Sequence, residues 1–214
     1  CRPPSGQEPA HLHTSLHEAE LDRARAAGLY VAAVREAFEE AGVLLAEPLA
    51  GGEADVAQAA SMLKAGTPFN AVLAQLGLRL QTRRLVPWSR WITPRVPSVM
   101  NKRFDTRFYL ALAPHDQEGS HDERELVDSR WVRPLDAVAE ADRGEIRLAF
   151  VTRSNLKLLA RSATVAEALE AARNRRIVTV NPELFDHPDG PALRIPADAG
   201  YDVTEGLVKD TGAG

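Results

Sequence analysis

Cysteine is almost absent from this 214-residue chain: Cys1 stands alone. No internal disulfide framework can form, and a reducing compartment is the natural setting. No apolar run reaches the length needed to cross a bilayer, and the first residues show no secretory leader pattern, so a cytoplasmic location without membrane contact is expected. An excess of positive charge is lacking too. The net charge of -4 and a pI near 5.9 exclude general attraction to nucleic acid or to an anionic lipid surface. Internal repeats and low-complexity blocks are missing. What remains is ordinary globular composition, 44% hydrophobic and 26% charged, in a chain long enough to bury a core without a structural metal.

Residues 1–19 are rich in Pro, Ser, Gly and His and read as a loop or flexible lead-in ahead of a domain over 21–214. His11, His13 and His17 fall there, and no folded frame is expected to bring them onto a metal. Helical periodicity then runs from about Leu21 to Leu45, with Tyr30, Val34, Phe38 and Ala41 on one stripe and Gly42 placed to end it. A helical insertion over about 53–77 follows: one helix over Ala54–Ala65, and a second entered through Thr67 as cap and Pro68 as first residue. Leu78–Trp91 and Arg103–Ala113 read as strands. In the latter, Phe104, Thr106, Phe108 and Leu110 face one way, and Arg103, Asp105, Arg107 and Tyr109 the other. The stretch Thr93–Lys102 would be a long hairpin loop and Glu125–Val132 a short strand. Helices are expected from Pro134, over Thr152–Arg161 and over Thr164–Arg175, the last with a Thr164/Glu167 capping box. Ile177–Val180 and Ala192–Ile195 would be late strands around the turn Asp186–Gly190. Helix-rich ends around an antiparallel or mixed sheet predict an α/β or α+β fold.

The chemistry is concentrated in the first long helix. Residues three and four apart share a helix face, so Glu36, Glu39 and Glu40 present three carboxylates together, on the side away from Val34 and Phe38. Such a patch repels itself unless a cation compensates. Mg²⁺ or Mn²⁺, which prefer oxygen ligands, suit it. Arg35 stands four residues before Glu39 and can orient that carboxylate. The plain alternative is a solvated acidic face.

The full string Arg35-Glu36-Ala37-Phe38-Glu39-Glu40-Ala41-Gly42-Val43 resembles the second half of the Nudix box, Arg-Glu-hydrophobe-any-Glu-Glu-any-Gly-hydrophobe. Together with Trp91-Ile92-Thr93-Pro94 and Arg103-Phe104-Asp105-Thr106-Arg107-Phe108-Tyr109-Leu110, the chain is similar to the Nudix acyl-coenzyme A diphosphatases from about residue 28 to 200. The resemblance implies an α/β/α Nudix sandwich and hydrolysis of a diphosphate in coenzyme A or acyl-coenzyme A. It implies that Glu36, Glu39 and Glu40 hold Mg²⁺ or Mn²⁺, one of them also activating water, with Arg35 as orienting partner. Glu125, before Trp131, is its candidate for a further metal ligand.

Arg103 and Arg107 could meet phosphates through their forked donors, although cross-strand pairing on a solvent-facing strand is the preferred account of them. Lys102 could join them if its loop covers the site. Trp88 and Trp91 could stack an adenine, but packing is the commoner fate of tryptophan. Arg173, Arg175 and Arg176 suit the dipole at a helix C-terminus. The first half of the Nudix box and its upstream strands find no counterpart in residues 1–34, and the chain starts on Cys rather than Met. The expectation is therefore an N-terminally incomplete domain with an uncovered sheet edge. A homodimer is left open, and the rival reading is a catalytically silent Nudix-fold module that binds a ligand or partner.

Overall fold

The computed structural model describes residues 8–94, 103–117 and 130–208. The chain divides into two compact units, Cys1–Val86 with Tyr109–Arg130, and Pro87–Phe108 with Trp131–Gly214.

The first unit is built on α1 (Glu8–Leu16) and α2 (Arg23–Ala41). α1 corrects the loop expected over residues 1–19. Nine residues cannot hold a helix in water by themselves. Leu12 and Leu16, one turn apart, are only 2% and 4% exposed, and packing of α1 against α2 supplies what local propensity does not. The histidines do not converge: His13 Nε2 lies 2.6 Å from the Leu21 carbonyl oxygen, while His11 and His17 are exposed.

α2 is the helix the periodicity predicts. The Asp22 carboxylate caps it by accepting from the Arg25 N–H at 2.8 Å. Tyr30, Val34 and Phe38 are buried as expected, and Ala26 and Ala27 extend their stripe toward the N-terminus. Gly42 ends the helix at φ 68°, a left-handed turn that glycine adopts without penalty. Its N–H donates to the Phe38 carbonyl at 3.1 Å, and the Val43 N–H to that of Ala37 at 3.3 Å.

Beyond this turn, β1 (Ala46–Pro48) pairs antiparallel with β2 (Leu78–Leu80). The expected helical insertion lies between them as α3 (Val56–Lys64) and α4 (Phe69–Gln75). α4 starts one residue later than predicted. Pro68, not Thr67, stands outside as the cap, its carbonyl accepting from the Val72 N–H at 3.0 Å. Leu12, Tyr30, Val34, Phe38, Leu44 and Val72 share one apolar core, against which Tyr109 also packs.

The second unit holds most of β3 (Val86–Ile92) and the first four residues of β4 (Asp105–Leu110). It adds α5 (Pro134–Asp142), α6 (Phe150–Leu159) and α7 (Val165–Asn174). Of the strand expected over Glu125–Val132, only residues 130–132 are described, and they are irregular. α6 begins two residues before the expected Thr152, because the Ala149 carbonyl already accepts from the Arg153 N–H at 2.9 Å. α7 has the predicted cap. Thr164 Oγ1 accepts from the Glu167 N–H at 3.2 Å, and the Glu167 carboxylate accepts in return from the Ala163 N–H at 2.9 Å.

The late strands differ from expectation. β5 (Thr179–Val180) does not join the terminal hairpin but lies parallel to β3, Arg90 opposite Thr179, giving the order β4-β3-β5. The hairpin is instead β6 (Glu183–His187) with β7 (Gly190–Arg194), extended by β8 (Glu205–Leu207) into an antiparallel sheet. Period-two alternation marks both candidate strands equally, and register alone decides which of them pair.

Candidate active-site helix and the residues around it

α2 carries its candidate site residues on the face turned from the core. Phe38 is 4% exposed, whereas the side chains of Arg35, Glu36 and Glu39 are 45%, 48% and 41% exposed. Glu40 is half-buried beside them. Arg35 serves two carboxylates: its Nη2 pairs with Glu36, and its Nε lies 3.5 Å from Glu39 one turn on. The hydrogen bond that Arg35 donates to Glu36 raises the Arg35 pKa above its ordinary value, opposed by partial burial and helped by the charges of Glu36 and Glu39. One guanidinium thus lies within ion-pair reach of two acidic side chains, and the helix supplies the spacing that allows it.

The donor set fits a hard divalent cation, being carboxylate oxygens that solvent can reach. Among the described residues no three His, Cys, Asp or Glu side chains, Glu36, Glu39 and Glu40 included, come together as a group that could hold a metal ion by themselves. Mg²⁺ does not require one, since it is commonly held by one or two carboxylates with water and substrate phosphates filling the other positions. Glu125 and Lys102 lie outside the described residues.

The exit from α2 is fixed by a residue that pattern reading passed over. The Gln117 amide grips the backbone of Leu44 on both sides: Oε1 accepts from the Leu44 N–H at 2.7 Å, and Nε2 donates to the Leu44 carbonyl at 3.0 Å. This side chain does for Leu44 what a neighbouring strand would do. No periodicity or motif reveals it, because the contact joins positions distant in the chain.

The other candidates are held in the second unit. Arg90 pairs with Asp105 through both Nε (2.9 Å) and Nη2 (2.8 Å), and Arg107 lies 3.3 Å from the same carboxylate with its own side chain only 9% exposed. The Arg90 hydrogen bonds, opposed by partial burial and helped by the Arg107 charge, hold the Asp105 pKa below the usual aspartate range. Arg103 is exposed, its Nε donating to the Thr93 carbonyl at 3.1 Å. Alternation predicted the two faces of β4 but not which is covered. Phe104, before the strand, is 55% exposed, while Tyr109, on the charged face, packs at 4.9 Å between ring centroids against Tyr30.

Trp88 and Trp91 are packing residues. Trp91 Nε1 donates to Tyr201 Oη at 2.9 Å, and the Arg175 guanidinium lies 5.4 Å from the ring centroids of both Trp88 and Tyr201. Arg175 therefore does more than complement a helix dipole. Burial lowers its pKa and raises that of Tyr201.

The family model of the NUDT19 Nudix domain matches residues 3–156. The chain belongs to this Nudix family. It is 30% identical over 139 residues to the acyl-coenzyme A diphosphatase NUDT19 of Gallus gallus, covering 56% of this chain and 37% of that protein. It is 30% identical over 118 residues to the putative nudix hydrolase 7 of Caenorhabditis elegans, covering 55% of this chain and 39% of that one. The chain thus spans less than two-fifths of the length of these curated relatives. The crystal structure of a NUDIX hydrolase from Alicyclobacillus acidocaldarius superimposes with a TM-score of 0.52 at 26% identity, covering 71% of this chain and 69% of that one. The mixed α/β Nudix fold expected from the sequence is borne out. The matched Nudix segment includes Arg35, the three glutamates and Gln117, and ends before Arg175 and Tyr201. Among the described residues no helix is long and apolar enough to cross a membrane.

Proposed function

We propose that this Nudix chain is a metal-dependent diphosphatase whose working surface is the outer face of α2, acting on coenzyme A or acyl-coenzyme A in the cytoplasm. The observation that carries the reading is the Arg35–Glu36–Glu39 arrangement on a solvent-facing helix side, inside the segment that matches the family. Substrate class rests on the name of the Gallus gallus relative. Glu36, Glu39 and Glu40 would hold Mg²⁺ or Mn²⁺, with Glu125 as a further ligand. When bound, such an ion supplies Lewis acidity toward the diphosphate. Arg35 keeps two of the carboxylates in register, and one of the glutamates accepts the proton of the attacking water. The water oxygen bonds to one phosphorus and the bridging P–O bond breaks, releasing adenosine 3',5'-bisphosphate and a phosphopantetheine.

The open arrangement of carboxylates among the described residues favours a second reading, a Nudix module that binds without catalysis. One experiment separates the two. The protein is incubated with coenzyme A and Mg²⁺ or Mn²⁺, and the products are resolved by chromatography. Release of adenosine 3',5'-bisphosphate that stops on chelation and in Glu39→Gln supports the diphosphatase. Coenzyme A binding without product supports the silent module.

A further inference from the structure

We propose that the second unit carries a separate binding site for a small organic anion with one negative charge and a flat apolar body. A cleft of about 230 Å³ opens between α6 and the chain around β8. Phe150, Arg153 and Lys157, at i, i+3 and i+7 on one side of α6, form one wall, and Tyr201, Val203 and Leu207 contribute to the other. None of these residues belongs to the unit that holds Glu36, Glu39 and Glu40.

Charge accounting indicates what the cleft accepts. Asp202 and Glu205 line the wall opposite α6. Asp202 is paired with Arg161, and Glu205 is paired with Arg194 at 2.7 Å, so these contribute no net charge. On the α6 side, Arg153 is paired with Asp142. Lys157 feels that same aspartate at longer range but among the described residues makes neither an ion pair nor a hydrogen bond of its own, and it is half-buried. Two cations against one carboxylate leave one positive charge, carried by Lys157. A half-buried ammonium beside aromatic and aliphatic side chains favours a ligand that returns one negative charge and covers the apolar wall. The rings of Phe150 and Tyr201 supply the flat surface; both already pack edge-on against Trp91, at 6.0 and 5.2 Å between centroids, which fixes their orientation.

The test uses the whole chain and three probes: benzoate, its neutral isostere benzamide, and acetate, which has the charge without the ring. Amide chemical shifts are followed by NMR during titration. The expected result is saturable binding of benzoate, with shifts confined to residues 150–157 and 201–207, and weakening by about ten-fold for either control. Lys157→Met should weaken benzoate by about ten-fold, and Val203→Trp, which fills the mouth from an exposed position, should abolish its binding. Benzamide binding as tightly as benzoate, unchanged affinity in Lys157→Met, or shifts spread over the surface or absent would each overturn the site.

Discussion

The two units reach stability by different routes. The first buries a largely apolar set around α2, from Leu12 and Tyr30 to Phe38 and Val72, with Glu18 and Thr82 among its few buried polar side chains, and turns Arg35, Glu36 and Glu39 outward. The second places polar groups inside. Trp91 donates to Tyr201, Ser89 donates to Asn155 at 2.7 Å, and Arg175 rests against two aromatic rings while its Nη2 donates to the Ala199 carbonyl at 2.6 Å. In the first unit, shape and volume hold the fold, so its outer face is free to carry destabilising like charge. In the second, buried donors such as the Trp91 and Ser89 side chains depend on particular partners, and loss of one partner leaves the other unsatisfied.

That contrast can be broken at four points. Glu39→Gln should lower turnover about 10²–10⁴-fold, the range for a positioned acid–base group. Its melting temperature without metal should hold or rise, because like-charge repulsion on α2 is relieved. A fall in stability parallel to activity would mean that the outer face is structural after all. Phe38→Ala, at the opposite face, should cost about 3–5 kcal/mol by urea unfolding. A cost near zero would deny the packed core its role. Tyr201→Phe keeps the ring but removes the acceptor for the buried Trp91 N–H, so a loss of about 1–3 kcal/mol is expected, with no change in activity. A neutral result would show that the polar interior of the second unit is dispensable.

The smallest effect concerns Asp105. Its pKa is depressed by Arg90 and Arg107, so the folded state holds its proton less tightly than the unfolded state does. The stabilisation is complete above the ordinary aspartate range and is lost as pH falls toward the depressed value. With the Asp105 side chain 40% exposed, solvent screening limits the contribution to less than about 1 kcal/mol. Asp105→Asn should therefore flatten the acid limb of the stability curve slightly. An unchanged limb would remove Asp105 from the account.

The first unit was the more legible in sequence for the same reason that it is apolar. A 3.6-residue stripe from Tyr30 to Phe38 and a glycine at the end define α2, and the glutamates follow from spacing. α1 escaped because two leucines, Leu12 and Leu16, are too few to outweigh proline- and histidine-rich surroundings until α2 is there to receive them. The strand partners of the second unit were not readable, since Thr179–Val180 and Ala192–Arg194 alternate alike and only the folded register separates them. Nor was its polar interior: Asn155, Arg175 and Tyr201 stand far apart in the chain and show no local pattern. Gln117 was invisible for the same reason.

Gln117 also bears on the order in which the molecule forms. Its clamp on Leu44 closes a loop of 73 residues, whereas α2 and its glycine cap need only neighbours four to six positions away. Loop-closure entropy sets these events apart. The carboxylate-bearing helix can therefore assemble early, with its exit still free, and Gln117 fastens late. In hydrogen exchange the Leu44 amide should consequently open more readily than the amides inside α2, so the carboxylates would sit on the part of the first unit that is slowest to come undone, next to one of the quickest.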